Sequence, residues 1–369
     1  MPSPTRPDWP HRLAALRARL AIEDLDGLIV SSPANIRYLT GFSGSAGVLV
    51  VTAREEVLVV DGRYVGSTRA AQARGDLAPV RLERVTTRYD VTLADEVRRL
   101  ALPRVGFEAA TVTVATCSRW EQGSGQSLVK TEGLVETLRT IKDAVELATL
   151  RRAAAKLSDV ASQVRALLEI GQSERDVAGI IEDWLRRAGF DKPAFDTIVA
   201  AGPNGAYPHA RPTDRRIQPG DLVVLDFGGV LDGYCVDLTR AACAAPVGAA
   251  AQSLYDAVRS AQQAAMETVR AGVAVRDVDG AARGVLEACG RGSAFLHGTG
   301  HGLGLEIHEA PYLARSEPET TRLECGMVAT IEPGAYVEGL GGVRLEDDVL
   351  VTPDGAEVLT TAPRDLWVV

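Results

Sequence analysis

Five side chains of the types that bind divalent metals, Asp226, Asp237, His301, Glu332 and Glu346, occur in an order that two β-hairpins and a glycine-rich strand could bring together. Carboxylates around an imidazole form the donor set of a two-metal hydrolase, in which paired cations make hydroxide available near neutral pH. Without cations such carboxylates would repel one another and raise their own pKa values. The first pair lies in DLVVLDFGGVLDGYCVDLTR, residues 221–240, where β-rich runs flank Asp232-Gly233, a dipeptide suited to a two-residue hairpin turn. Pairing Leu231 with Tyr234 sets Gly228 opposite Asp237, and Asp226 then points to the same side of the sheet.

Residues 327–351, MVATIEPGAYVEGLGGVRLEDDVLV, repeat the arrangement. A five-residue loop from Glu338 to Gly342 pairs Val337 with Val343, sets Gly334 opposite Glu346 and leaves Glu332 on the face of Glu346. A slip of one residue would turn Glu346 away. The imidazole comes from HGTGHGLGLEIHE, residues 297–309, whose glycines at 298, 300, 302 and 304 disfavour a helix. His301 and His308 are therefore expected on extended or looped backbone that approaches something closely, which is not the helical HExxH zinc arrangement. Of the five histidines, His209, His297, His301 and His308 lie in or near these motifs; only His11 stands apart.

Taken singly, an Asp in a strand is usually a turn or edge residue, and a His in a glycine-rich loop usually a hydrogen-bonding one. Two same-face acidic pairs with clustered histidines share no such explanation, because buried unpaired carboxylates are costly without a ligand. GFSGSAG, residues 41–47, lacks the GxGxxG spacing and precedes a strand, so it reads as a turn. HGTGHGLG lacks the following helix and the lysine of a phosphate loop.

Several elements must position these residues. An amphipathic helix over 11–25, strands over 26–31, 46–52 and 57–61, a helix over 92–101 and a strand over 104–107 predict a small α/β domain. A long helix follows over 143–168, so the boundary falls near residue 140, giving an amino-terminal domain over 1–140 and a catalytic one over 141–369. Helices over 173–188, 249–271 and 275–289, with a strand near 195–201, surround the hairpins. Two helix–hairpin units, each ending in an acidic pair, hint at an internal repeat.

At 369 residues two domains are the default. A net charge of −9, from 49 acidic and 40 basic residues with no long basic block, argues against nucleic acid or an anionic membrane as partner. Five cysteines without a CxxC pair fit reduced thiols. The amino terminus lacks signal-peptide features, and no run reaches the roughly eighteen apolar residues of a membrane helix, so a cytoplasmic location is expected.

On AYPHA (206–210), LDFGG (225–229), the run Asp237 to Arg240, HGTGHGLGLEIHE, TIEPGAY (330–336) and GGVRLED (341–347), the chain resembles the pita-bread metallopeptidases in their proline-specific branch, the prolidases and aminopeptidases P. NIRYLTGFSGSAG (35–47) extends the resemblance to the amino-terminal domain. It implies a two-domain α/β architecture: a small α/β domain followed by an α+β pita-bread domain with a curved antiparallel sheet around the metals. It implies two divalent ions held by Asp226, Asp237, His301, Glu332 and Glu346, with Mn2+ or Co2+ suiting the oxygen-rich donors and Zn2+ also accommodated.

The resemblance further implies that Glu332 accepts a proton from the attacking water and that His308 hydrogen-bonds the carbonyl oxygen as it becomes an oxyanion. His209 would orient the substrate, His297 line a pocket for the proline ring, and Tyr336 and Arg344 form a hydrogen-bond relay. In some relatives an amino-terminal acid completes that relay; Asn35 stands at the corresponding position. Proline-containing peptides are the expected partners, in a homodimer to which aromatic residues of NIRYLTGF contribute. An Xaa-Pro dipeptidase is weighed against an aminopeptidase P acting on longer peptides. An inactive binding module, like a metal-free creatine-cleaving relative, would typically lack ligands that are all present here, and a methionine aminopeptidase would not need the first domain.

Overall fold

Asp232 and Gly233 both take positive φ, 50° and 79°, the backbone that lets a two-residue turn follow the natural twist of paired strands. From that turn, Leu222–Leu231 and Tyr234–Cys243 remain in register from Leu231↔Tyr234 to Leu222↔Cys243. Gly228 stands opposite Asp237, as the spacing requires, so Asp226 and Asp237 share a face.

This hairpin is the centre of a curved ten-stranded sheet in the computed structural model, which describes residues 6–369. The chain divides into two compact units, one ending at Arg139 and one covering Thr140–Val369. In the larger unit the sheet runs, edge to edge, through Glu309–Leu313, Gly300–Gly302, Val328–Ile331, Glu346–Val351, Tyr234–Cys243, Leu222–Leu231 and Lys192–Pro193. All of these pairings are antiparallel.

Two helix pairs cover one face. Ala144–Leu167, opened by a capping box between Asp143 and Glu146, and Glu174–Arg187, opened by one between Ser173 and Asp176, contribute to a core with Phe227 and Leu238. Ala249–Thr268 and Val275–Ala288 contribute to a second core with Ile331 and Val349. Strand alternation turns Asp226, Asp237, Glu332 and Glu346 the other way. Helix burial on one face thereby fixes the acids on the opposite one.

The second hairpin differs from the expected register. Val337 pairs with Gly341, Ala335 with Val343 and Gly334 with Arg344, so the loop has three residues, not five. Gly339 and Gly341, with φ of 79° and 119°, permit the tighter reversal. The shift is two residues, which preserves the face. Because Gly334↔Arg344 and Ile331↔Asp347 bracket the intervening segment in one register, Glu332 and Glu346 stand across from each other.

The smaller unit contains a six-stranded mixed sheet in the order Arg81–Arg84, Glu56–Val60, Val48–Thr52, Gly27–Val30, Val105–Glu108, Val129–Thr131. Its helices Pro33–Thr40, Gly62–Arg74 and Val114–Ser124 were not expected from periodicity. The latter two bury only Thr68 and Trp120, respectively, so they carry almost no apolar stripe. Tyr38 and Phe42, expected to serve a neighbouring chain, are each only 5% exposed. Tyr38 lies against Arg12, and Phe42 meets Tyr64 edge to face.

Glycines in the 297–309 stretch allow close approach of backbones. A Cβ on Gly300 would lie 1.9 Å from the carbonyl oxygen of Thr330, a clash that only movement of the strand Val328–Ile331 could relieve. Gly300→Ala should therefore lower the stability of the larger unit by about 1–3 kcal/mol or more and displace His301. Urea unfolding followed by circular dichroism tests this; an unchanged midpoint would contradict the packing.

Candidate active site

Asp226 and Asp237 project from the central hairpin, His301 from the short strand Gly300–Gly302, and Glu346 from the strand that pairs with Tyr234–Cys243. Glu332 follows the end of Val328–Ile331. All five line one cavity of about 490 Å³, together with His209, His297, His308 and Arg344. Ligand atoms of Asp237, His301 and Glu346 all lie within 4.8 Å of one another, close enough to share a cation. The Oδ1 of Asp226 is buried and has no hydrogen-bond partner, an orphan acceptor of the kind a cation would satisfy.

Electrostatics reinforce that fit. Burial, then the charges of Glu346 and Asp226, raises the Asp237 carboxyl well above its ordinary range. Burial, then Glu332 and Asp226, does the same to Glu346, and burial raises Glu332. Asp348, whose Oδ2 accepts from the Asp237 backbone N–H at 3.0 Å, is pushed well up by burial too. The acids are thus crowded together in a buried cluster where Arg344, paired with Asp226, is the nearby cation among the described residues. Bound divalent cations would remove that conflict.

The imidazoles are set in orientations suited to separate tasks. His301 Nδ1 meets the Gly302 carbonyl at 3.1 Å, so that nitrogen carries the proton and Nε2, 3.3 Å from Glu332, is left as a potential ligand. Its backbone N–H donates to Thr330 Oγ1 at 3.0 Å. His308 packs edge to face on His301 with ring centroids 4.4 Å apart. Burial, then the nearby His301 and His209, holds His308 below the ordinary imidazole value, so it is neutral near pH 7. His209 is exposed on the cavity wall.

His297 lines the cavity and is bonded at both ring nitrogens. Its Nδ1 meets the Gly298 carbonyl and its Nε2 the Tyr336 hydroxyl, both at 2.8 Å. Arg344 continues the relay, donating from Nη1 to Tyr336 at 2.6 Å and from Nη2 to Asp226. Burial, opposed by Arg344, pushes the Tyr336 hydroxyl up to about 12, so it remains protonated. The acid in this relay is therefore Asp226 itself. Asn35 makes its own hydrogen bonds, to Glu108, Glu136 and Arg139, within the smaller unit.

Several supporting residues escaped the reading of the sequence. Thr239 donates to Glu346 at 2.5 Å; period-two alternation from Asp237 was the available signal. Buried Asp279 accepts from the Thr299 backbone N–H and hydroxyl, while the Thr299 carbonyl accepts from the Glu332 N–H at 2.7 Å. Lys142 Nζ holds Glu309 at 2.6 Å in a buried ion pair, which occupies the carboxylate next to His308. No local motif announces these long-range contacts. Nor was Arg211, which also lines the cavity, anticipated.

Comparison with known proteins gives matches along nearly the whole chain. Residues 148–353 match the model of metallopeptidase family M24, and residues 12–141 match the creatinase/prolidase N-terminal domain. The Xaa-Pro dipeptidase of Pyrococcus furiosus is 33% identical over 361 residues, covering 96% of this chain and 99% of that one. The solved Xaa-Pro dipeptidase from Bacillus anthracis superimposes with a TM-score of 0.93 at 34% identity, covering 98% of this chain and all of that one. An X-Pro aminopeptidase from Thermotoga maritima gives a TM-score of 0.87 at 28% identity, covering 97% and 100%.

The crowded acids predict a pH-dependent stability for metal-free protein. Asp237, Glu332, Glu346 and Asp348 have folded pKa values raised above ordinary carboxylate values of 3.8 and 4.5. Their contribution is fully present below those ordinary values and is lost as pH rises through the raised ones. His297, His301 and His308, lowered by burial, act in the opposite sense, with stability lost as pH falls below the ordinary 6.5. The urea midpoint of metal-free protein should therefore decline from about pH 6.5 to about pH 8, and Mn2+ should restore it most at the higher pH. A metal-free midpoint that rises across that interval would contradict the arrangement.

Proposed function

The chain belongs to metallopeptidase family M24, and from that premise we propose that it is an Xaa-Pro dipeptidase working with two divalent metal ions. The observation that carries the reading is the convergence of Asp226, Asp237, His301, Glu332 and Glu346 on one cavity beside neutral His308. The dipeptidase names of the Pyrococcus and Bacillus relatives support the substrate class. Those five residues would hold the ions, Mn2+ by preference, with Co2+ or Zn2+ as substitutes, and the bound metal would supply hydroxide at neutral pH.

The protein's own groups do the rest. Glu332 accepts the proton of the attacking water, a role suited to a carboxylate whose pKa burial has raised. His308 donates to the peptide carbonyl oxygen as charge develops there. His209 orients the substrate across the same cavity. The His297–Tyr336–Arg344 relay holds Asp226 in place, and His297, on the cavity wall, faces the space for the proline ring. An Xaa-Pro bond has no amide N–H, so a site that provides no acceptor for one can take a bond other peptidases reject.

Chelation should abolish hydrolysis of Met-Pro, and added Mn2+ should restore it. His308→Ala should lower kcat by roughly a hundredfold or more while keeping bound metal, whereas His301→Ala should lose both. Elemental analysis beside steady-state kinetics separates the two; equal metal loss in both variants would defeat the division of roles. For substrate length, kcat/KM for Met-Pro should exceed that for an Xaa-Pro-Xaa tripeptide. A clear preference for the tripeptide would replace the dipeptidase with an aminopeptidase P, the reading favoured by the Thermotoga neighbour.

A further inference from the structure

A dipeptide differs from a longer peptide chiefly in the free carboxylate on its second residue, so a site that selects dipeptides needs a cation for it. The sequence after the His308-Glu309 step, Ala310-Pro311-Tyr312, offers none. Two arginines line the cavity, Arg211 and Arg344. Arg344 is largely engaged: besides Asp226 and the Tyr336 hydroxyl, it donates from Nη1 to the Pro208 carbonyl at 3.3 Å and from Nε to Thr239 Oγ1 at 3.3 Å. Most of its donors are thus spent within the protein, and its charge is paired with Asp226.

Arg211 is different. It is exposed and makes no hydrogen bond or ion pair among the described residues. The other charged groups of its loop are taken: Arg215 grips Asp221 at 2.6 and 2.9 Å, Arg216 donates to the Gly171 carbonyl at 2.7 Å, and Asp214 is held by Arg175 at 2.7 Å. Asp196, the exposed acid on the cavity wall, has the wrong sign to receive an anion. Arg211 therefore brings to the cavity an unspent planar fork of donors, the geometry that grips a carboxylate with two parallel hydrogen bonds.

Its place in the chain suits that task. Arg211 follows His209 by two residues, a chain separation of at most about 7 Å, and both line the cavity. In a dipeptide the terminal carboxylate lies one residue, about 4 Å, beyond the scissile bond. A long arginine side chain spans the difference.

We propose that Arg211 anchors the free carboxylate of the substrate's second residue and is the residue that selects dipeptide acids. The assignment rests on the peptidase reading above and adds to it the source of length specificity. A peptide amide or a longer chain leaves the guanidinium without its anion. A charge-assisted pair partly open to water supports a roughly 10- to 100-fold preference for acid over amide.

The test is kcat/KM for Met-Pro and for Met-Pro amide, measured on the metal-loaded full chain as wild type, Arg211→Ala and Arg211→Lys. Wild type should prefer the acid by roughly 10- to 100-fold. In Arg211→Ala that ratio should fall to near one, mostly through KM for the acid, and Arg211→Lys should recover part of it. An unchanged ratio in Arg211→Ala overturns the assignment, as does a wild type that hydrolyses acid and amide equally well. A wild type that hydrolyses neither removes the peptidase reading itself and this assignment with it.

Discussion

Mutual repulsion among buried carboxylates is the constraint around which the larger unit is organised. Asp237, Glu346 and Asp348 are nearly inaccessible, Asp226 is only 8% exposed, and Glu332 completes the group. In an environment of low polarity such a cluster is expensive. One arginine reaches it directly, and that arginine is tied to Asp226. The sheet must therefore be held together by something other than the site, and the two helix pairs with their apolar cores supply that stability from the opposite face. Stability lost at the centre is offset at the periphery, a division common to functional sites.

Directly behind the acids lies a layer of fully committed polar groups. Arg240, without solvent exposure, bonds the Thr239 and Glu346 carbonyls and pairs with Asp347 at 2.7 Å. Gln262 and Arg364 fill the other oxygen of Asp347. Three acids in succession, Glu346, Asp347 and Asp348, thus meet different fates: alternation sends Asp347 to the helix-covered face and its neighbours to the other, where Glu346 lines the cavity and Asp348 holds the Asp237 backbone N–H. The same run of charge is structural on one side and available for chemistry on the other.

A similar division separates the histidines from their neighbours. Lys142 neutralises Glu309, leaving His308 the free polar side chain of the His-Glu step. Asp279 and Arg283 hold the segment at 295–299 by its backbone, through the carbonyls of Phe295 and His297 and the Thr299 N–H. The Thr299 carbonyl then receives the Glu332 N–H. A helix residue with no view of the cavity consequently helps to place a carboxylate inside it, and family M24 membership accounts for the shared frame without explaining these particular contacts.

Local rules made the first hairpin legible in the sequence: Asp232-Gly233 permits one tight turn, and a strand period of two then assigns Asp226 and Asp237 to one face without further information. The glycines at 298–304 likewise announced close backbone contact, and apolar residues at helical spacing marked the long helix. The second hairpin was legible only in its parity, because a glycine-rich loop accommodates more than one length and the neighbouring strands choose between them. Helices with almost no buried stripe left no periodic trace at all. Tertiary structure alone decided that Arg344 joins its relay to Asp226, that His297 is bound to Tyr336, and that Arg211 reaches the cavity unpaired among the described residues. Those outcomes join residues 39 and 118 positions apart or depend on which partners are already occupied, and no local preference of the chain encodes either.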